Sequence, residues 1–483
     1  MNFNFNLFKN VTSIMLILLS LIMIPSILVS LYFGELQTVK SMTIIAFLCF
    51  IVGIILFYKS RRKSIRSTTR DGYLITFITW LILVLLSAMP FYLSGNGFKL
   101  IDCIFESSAG WSTTGAFVIA ADSLPKGLLF WKAVCNWFGG IGIIMLIVSI
   151  TPYFSVSGQK LSTAEAPGPN LEKMSAKFHG TARYLYSFYI VLTLTELCLL
   201  KLGGLTFFDA TINSLSCVST SGIHLNSGGI TSNLTTYIKV IITLFSFLCA
   251  INFAIYFYTL RKRFKDIFLD LELRVFIFII LISTLIIGLA ITYTSQGNLF
   301  DALSMSVSFF TTSGFAFTEY SMWPTVSKII LISAMFIGGC AVSTSGGIKV
   351  SRIIVFYKLI LRGIYKRIHP RGIKPVLFFK KTISVNNVFT ITVYVLLYFL
   401  IFIVGSLLLS LDNLSIETTL SGAIGAMSNV GLSFGKLANV ADYSIFSLPA
   451  RLLLSMLMIG GRLEFYAIVL LFTRPFWNTN TSK

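Results

Sequence analysis

Ten apolar stretches, each near the length that crosses a bilayer, set the terms for any fold this chain can adopt. They run over residues 11–33, 41–58, 73–93, 128–150, 184–200, 237–260, 275–294, 326–361, 388–411 and 447–473, and only the eighth is visibly interrupted. About 20 apolar residues in a helix match the hydrocarbon thickness of a membrane. Composition agrees. Charged residues make up 12% of the 483, against about 25% in soluble domains, too few to cover a water-facing surface.

The net charge of +20 raises the question of nucleic acid, and its placement answers it. Lys59, Arg61, Arg62, Lys63, Arg66 and Arg70 fill the second connection. Arg261, Lys262, Arg263 and Lys265 follow the sixth span; Lys358, Arg362, Lys366, Arg367, Arg371, Lys374, Lys380 and Lys381 follow the eighth. The alternate connections are poor in Lys and Arg. Basic connections on one side only are the positive-inside pattern, and ten spans then place both termini in the cytoplasm. The apolar run from Val11 to Phe33 is too long for a signal peptide and lacks an evident cleavage site. The seven cysteines form no CxxC pair, and His179, His224 and His369 are scattered, so neither a disulfide framework nor a zinc site is expected. No acid/base cluster of the kind a membrane enzyme needs is present.

Between the spans lies a repeat. Ser112-Thr113-Thr114-Gly115-Ala116, Ser219-Thr220-Ser221-Gly222-Ile223, Thr311-Thr312-Ser313-Gly314-Phe315 and Ser428-Asn429-Val430-Gly431-Leu432 align on a glycine, and the glycines stand 107, 92 and 117 residues apart. Each segment falls on the side opposite the basic connections. An acid precedes each glycine, at Asp102, Asp209, Asp301 and Glu417, by 13, 13, 13 and 14 residues. The residues between are too few to span. We read four short re-entrant helices, each with its acid as N-cap at the positive end of the helix dipole, each followed by a turn that returns the chain. Four such coincidences in register argue against unrelated extracellular loops. Gly139-Gly140, Gly338-Gly339 and Gly460-Gly461 recur in the spans that follow; the second unit has no such pair.

This pattern has a chemical logic. A cation leaving water needs its hydration shell replaced by oxygens, and rings of backbone carbonyls do this without net charge. Aiming carbonyls at one axis requires unusual backbone angles, which glycine reaches at low cost. Such irregular backbone survives at membrane depth only where it lines a wet cavity or packs in protein. No carboxylate stands inside any of the four segments, which favours a monovalent cation. The expected filter comprises Thr113, Thr114, Gly115, Thr220, Ser221, Gly222, Thr312, Ser313, Gly314, Asn429, Val430 and Gly431, with Thr and Asn oxygens near its inner end.

At these residues the chain resembles the membrane subunits of the Trk/Ktr/HKT superfamily of potassium transporters, nearest the bacterial TrkH branch. The resemblance also rests on Arg70-Asp71-Gly72-Tyr73, Trp137-Phe138-Gly139-Gly140-Ile141-Gly142, Ser343-Thr344-Ser345-Gly346-Gly347-Ile348-Lys349 and Gly460-Gly461-Arg462-Leu463-Glu464, in that order along nearly the whole chain. It implies an all-α membrane protein with four helix–pore loop–helix repeats around one central pore, plus an N-terminal two-helix hairpin. The units would be 1–69 (hairpin), 70–155, 156–265, 266–375 and 376–483. It implies potassium uptake across the bacterial plasma membrane, selective over sodium because all four filter positions are glycine. It implies a homodimer in the lipid bilayer, a cytoplasmic nucleotide-binding regulatory ring of the TrkA-like kind, no bound cofactor, K⁺ as the transported ion, and no nucleic-acid partner.

Two features lie below the expected filter. Gly338-Gly339-Cys340-Ala341-Val342-Ser343-Thr344-Ser345-Gly346-Gly347 is a poor helix interior, and by the resemblance forms a gate loop in the pore. A plain structural kink is the alternative. Arg462 lies 15 residues into a span beginning near Ser447, where a charge is costly and faces a cavity or partner; the resemblance places it beside the loop. Glu464, two residues on, points away from it, and Lys349 is read simply as the start of the lower helix. The competing function is a cation-coupled secondary transporter with a midplane site. It predicts two related halves and paired broken helices, whereas the sequence shows four units and one break.

Overall fold

The computed structural model describes residues 4–60, 69–142, 178–223, 234–260, 262, 264–372, 375–378, 381–438 and 441–477. Arg61, Arg62, Lys63, Arg66, His224, Arg261, Arg263, Lys374, Lys380 and the lower part of the expected 128–150 span lie outside them.

The regular structure of the described residues is helical apart from one two-stranded antiparallel ladder, Leu377–Phe378 with Lys381–Thr382, and an isolated parallel bridge between Phe117 and Asp442. The hairpin is α1 (Phe5–Tyr32) and α2 (Leu36–Ser60). The first unit holds α3 (Thr69–Tyr92), α4 (Leu100–Trp111) and α5 (Lys126–Ile141). In the second stand α6 (Phe178–Leu202), α7 (Phe207–Val218), α8 (Thr236–Ala250) and the short α9 (Ala254–Leu260). After α10 (Phe264–Leu269), the third comprises α11 (Leu271–Tyr293), α12 (Leu299–Thr311), α13 (Thr325–Ile337) and α14 (Val350–Ile368). The fourth comprises α15 (Val385–Leu409), α16 (Ile416–Met427), α17 (Leu448–Leu463) and α18 (Phe465–Leu471), followed by the single turn α19 (Arg474–Trp477).

Among the described residues, six helices are long and apolar enough to cross a membrane: α1, α2, α3, α6, α11 and α15. Their faces divide as lipid requires. On α11, Phe276, Ile280, Ile287 and Ile291 are buried, while Phe278, Leu281, Leu285 and Leu289 are exposed. Apolar side chains on both faces of one helix fit protein on one side and hydrocarbon on the other.

The remaining spans differ from expectation. The second long helix is interrupted in the second and fourth units as well as in the third, while in the first unit the described residues stop at Gly142. Helix α8 gives way at Ile251, α13 at Gly338 (φ 70°) and α17 at Glu464 (φ 61°). The apolar runs conceal these breaks because Ile251, Phe253 and Phe465 keep hydropathy high while the backbone turns. The acids are corrected too. They lie in the first turn of the short helices, and the caps are Thr206, Asn298 and Ser415, whose side chains accept from Asp209 N, Asp301 N and Thr418 N. In α12 the Asn298–Asp301 pair is a reciprocal capping box. Helix α4 has Lys99 at its N-cap position and no side-chain cap.

Packing closes the four units into a ring. Helix α5 packs on α7, α8 on α12, α13 on α16, and α17 on α4, so each unit's second helix supports the next unit's short helix. Two ion pairs tie the same joints, Lys328–Glu417 at 3.1 Å and Arg451–Asp102 at 2.5 Å.

Candidate functional site: a four-part backbone ring

Each short helix ends in the same way. The N–H groups of Thr113 and Thr114 donate back to Gly110 O and Ala109 O, at 3.0 and 2.9 Å. The same pair of bonds recurs from Thr220 and Ser221, from Thr312 and Ser313, and from Asn429 and Val430. This is the Schellman closure, in which a left-handed residue follows the helix and orphan carbonyls are satisfied. The left-handed residue is Thr113 (φ 60°), Thr220 (54°), Thr312 (57°) or Asn429 (59°). A β-branched residue in that region is an outlier, and it occurs here in three units of four. Two residues on, Gly115, Gly222, Gly314 and Gly431 are left-handed again, with φ of 72°, 53°, 70° and 78°. With two successive N–H groups turned back into the helix, the chain between these two inversions directs its carbonyls elsewhere.

They meet at close range. A methyl group built on Gly115 would overlap the Ser221 carbonyl oxygen, and one on Gly222 would overlap that of Ser313. One on Gly314 would strike Val430 O, and one on Gly431 would strike Thr114 O. Each glycine therefore abuts the carbonyl of the residue before the next unit's glycine, and the fourth returns to the first. The twelve residues expected from the sequence are all brought together, and all are buried. Side chains at the left-handed positions add oxygens. Thr113 Oγ1 and Asn429 Oδ1 are buried with no hydrogen-bond partner among the described residues. Asn429 Nδ2 donates to Thr114 Oγ1 at 3.0 Å and Met458 O at 2.9 Å.

The segment 338–347 lies against this ring. Gly346 N donates to Thr312 Oγ1 at 2.7 Å, and a methyl on Gly346 would overlap Ser428 O. The segment is non-helical, with positive φ at Gly338, Val342, Gly347 and Lys349. Backbone bonds tie it to the second unit: Cys340 N donates to Ala250 O at 3.0 Å, and Phe253 N to Val342 O at 3.1 Å. Ser343 Oγ bonds Cys340 O and Ser345 Oγ, and Thr344 Oγ1 bonds Cys249 O. Arg462 Nη1 donates to Thr344 O at 2.7 Å, and Nη2 to Gly139 O at 2.8 Å and to Gly140 O. One guanidinium thus joins the fourth unit to the first and third.

Several site residues carried no sequence signal. Lys349 does begin the lower helix, but its Nζ also donates to Ser345 O and Ser345 Oγ. Glu272 accepts from Ala341 N at 2.7 Å and Ser351 N at 3.1 Å, clasping the segment from α11. Glu464 faces Arg352, whose Nη2 lies 2.7 Å from both carboxylate oxygens. Each stands within three residues of another charge, Glu272 beside Asp270 and Arg274, Lys349 near Arg352 and Glu464 near Arg462; a charge in or beside a span is the only available flag, and it does not name the partner.

A helical membrane protein with four short helices converging on one backbone ring has the build of a membrane transport protein. The comparisons specify the family. The TrkH family model, described as a cation transport protein, matches residues 38–478. The Trk system potassium uptake protein TrkG of Escherichia coli K12 is 30% identical over 471 residues, 96% of each chain. TrkH of Vibrio parahaemolyticus is 31% identical over 480 residues, 97% of this chain and 98% of that one. The crystal structure of the potassium transporter TrkH from Vibrio parahaemolyticus superposes with a TM-score of 0.86 at 28% identity, covering 98% of this chain and 100% of that one. The chain belongs to the TrkH family of cation transport proteins, which are transporters and not enzymes.

Proposed function

We propose that this chain is the ion-conducting subunit of a bacterial potassium uptake system, passing K⁺ in preference to Na⁺ through the ring of Gly115, Gly222, Gly314 and Gly431. The observation that carries this reading is the closed succession of glycine-to-carbonyl contacts around four unlike units. Such a ring offers uncharged oxygens to a monovalent ion. The potassium uptake named for the relatives supports the choice of ion. Four short helices closed by the same turn, one per unit, favour a fourfold pore over the paired halves of a coupled transporter.

The segment 338–347 is proposed as the gate, with Gly338, Gly339, Ser343, Thr344, Ser345, Gly346 and Gly347 as its moving part and Arg462 as its clasp. The division into a hairpin (1–69) and four units (70–155, 156–265, 266–375 and 376–483), the homodimer, both termini in the cytoplasm of a bacterial plasma membrane, and a nucleotide-binding regulatory ring belong to the same proposal. Expression in cells lacking their own uptake systems tests it: growth at low external K⁺ is expected. In liposomes, K⁺ flux should exceed Na⁺ flux at a fixed voltage; equal fluxes would remove the claim of selectivity.

A further inference from the structure

The first unit contains a buried ion pair that the ring itself does not require. Glu106, in α4, and Lys132, in α5, lie 2.5 Å apart, with side chains 0% and 4% exposed. Glu106 Oε1 accepts from Val118 N at 2.7 Å and Ile119 N at 2.9 Å, and Lys132 Nζ stands 3.3 Å from Ala116 O. These bonds fall on the strand that leaves Gly115, within four residues of it. The pair therefore ties both helices of the unit to the outer limb of its own ring segment.

The other units lack this carboxylate. Nine residues before the glycine, where the first unit has Glu106, they carry Asn213, Met305 and Gly422. In the fourth unit, Tyr443 donates to Gly431 O at 3.0 Å. In the third, Tyr320 donates to Ser433 O of the fourth at 2.9 Å and packs edge-on to Phe309. At that position the first unit alone carries a carboxylate. A buried charge pair is not the most economical way to stabilise a fold, since apolar replacements often do as well. Its distinctive property is directional. A carboxylate accepting two N–H groups and an ammonium fixes the backbone in position more tightly than packing does.

We propose that Glu106 and Lys132 form a specificity-determining positioning pair, which holds the first unit's limb outward so that the ring cannot contract onto a smaller ion. The inference rests on the potassium-selective reading above. K⁺ and Na⁺ carry the same charge, so an electrostatic effect of the pair on the pathway changes both fluxes together. A purely structural role changes the yield of folded protein. Only displacement of the limb changes the ratio of the two fluxes.

The test measures K⁺ and Na⁺ flux from liposomes holding wild type, Glu106→Gln, Lys132→Arg and the double variant Glu106→Gln/Lys132→Met, each at matched content of monodisperse protein. Glu106→Gln keeps the shape but replaces one acceptor oxygen with a donor. It should lower the K⁺/Na⁺ ratio roughly ten-fold, the size of one lost bond to a charged group. Lys132→Arg keeps the pair and should keep the ratio. The double variant leaves no uncompensated charge, so it serves where the single one does not assemble, and it too should lose selectivity. A selective wild type whose variants keep its ratio overturns this inference and leaves the potassium reading standing. A wild type that does not discriminate overturns that reading. Failure of both the single and the double variant to assemble overturns the inference as well, assigning the pair to folding.

Discussion

Thr312, in the ring, and Gly346, in the interrupted helix below it, are joined by a 2.7 Å hydrogen bond from the glycine N–H to the threonine hydroxyl oxygen. The proposed gate is thereby fastened to the proposed filter itself. Both residues are buried, so moving the segment away strips a partner from a buried N–H unless water or an ion replaces it. Thr312→Val keeps the shape and removes the acceptor, at a cost of about 1–3 kcal/mol to the bonded state. K⁺ flux without any regulatory partner should rise roughly ten-fold, while Thr312→Ser should resemble wild type. Valine and threonine proteins that conduct equally would show that the bond does not hold the segment closed.

Gly115→Ser addresses the ring. At φ 72° any side chain is strained, and a Cβ there would overlap the Ser221 carbonyl oxygen. One of the two backbones must shift, and with it the oxygens offered to the ion. The K⁺/Na⁺ flux ratio in liposomes is expected to fall. An unchanged ratio would remove this account of Gly115.

Arg462 supplies five donors in a rigid fork and uses them on Thr344 O, Gly139 O and Gly140 O. Its charge also opposes a cation entering the constriction, strongly so where water is scarce. Both effects favour the closed state. Arg462→Ala, or shortening the segment between Gly339 and Gly346, should raise K⁺ flux roughly ten-fold without the partner, and selectivity should change little. Folded variants no faster than wild type would make the segment a structural kink and Arg462 a structural charge.

The ring was legible because its determinants are local. A glycine, a Thr or Asn two residues earlier, and a short helix before them recur at each unit, so the four segments announce one another. The left-handed threonines were not legible. Sequence propensity assigns that conformation to glycine or asparagine, and only the Schellman closure forces Thr113, Thr220 and Thr312 into it. The breaks at Ile251 and Glu464 were hidden for a related reason: apolar neighbours conceal a turn from any reading based on hydropathy. The acids at Asp209 and Asp301 were placed in the right turn but given the wrong role, because Thr206 and Asn298 cap those helices from one position before them. Glu106 and Lys132 are 26 residues apart, and nothing in either run points to the other.

The last prediction concerns the proposed cytoplasmic partner. Helix α14 begins at the proposed gate and ends in Lys366 and Arg367 within its last turn. Lys358 is already engaged, donating to Leu377 O at 2.7 Å across to the small ladder. Arg362 is half-buried, while Lys366 and Arg367 are exposed. Positive-inside bias alone accounts for some of this charge, yet the helix carries it in direct continuity with Lys349 and the segment Lys349 contacts. Replacing Arg362, Lys366 and Arg367 with Ala should weaken co-purification with the nucleotide-binding ring, and moderate salt should weaken the wild-type complex in the same way, since exposed pairs are screened. Lys358→Ala should instead loosen the ladder without abolishing binding. A complex that survives the triple substitution and high salt intact would leave these charges with a topological role alone.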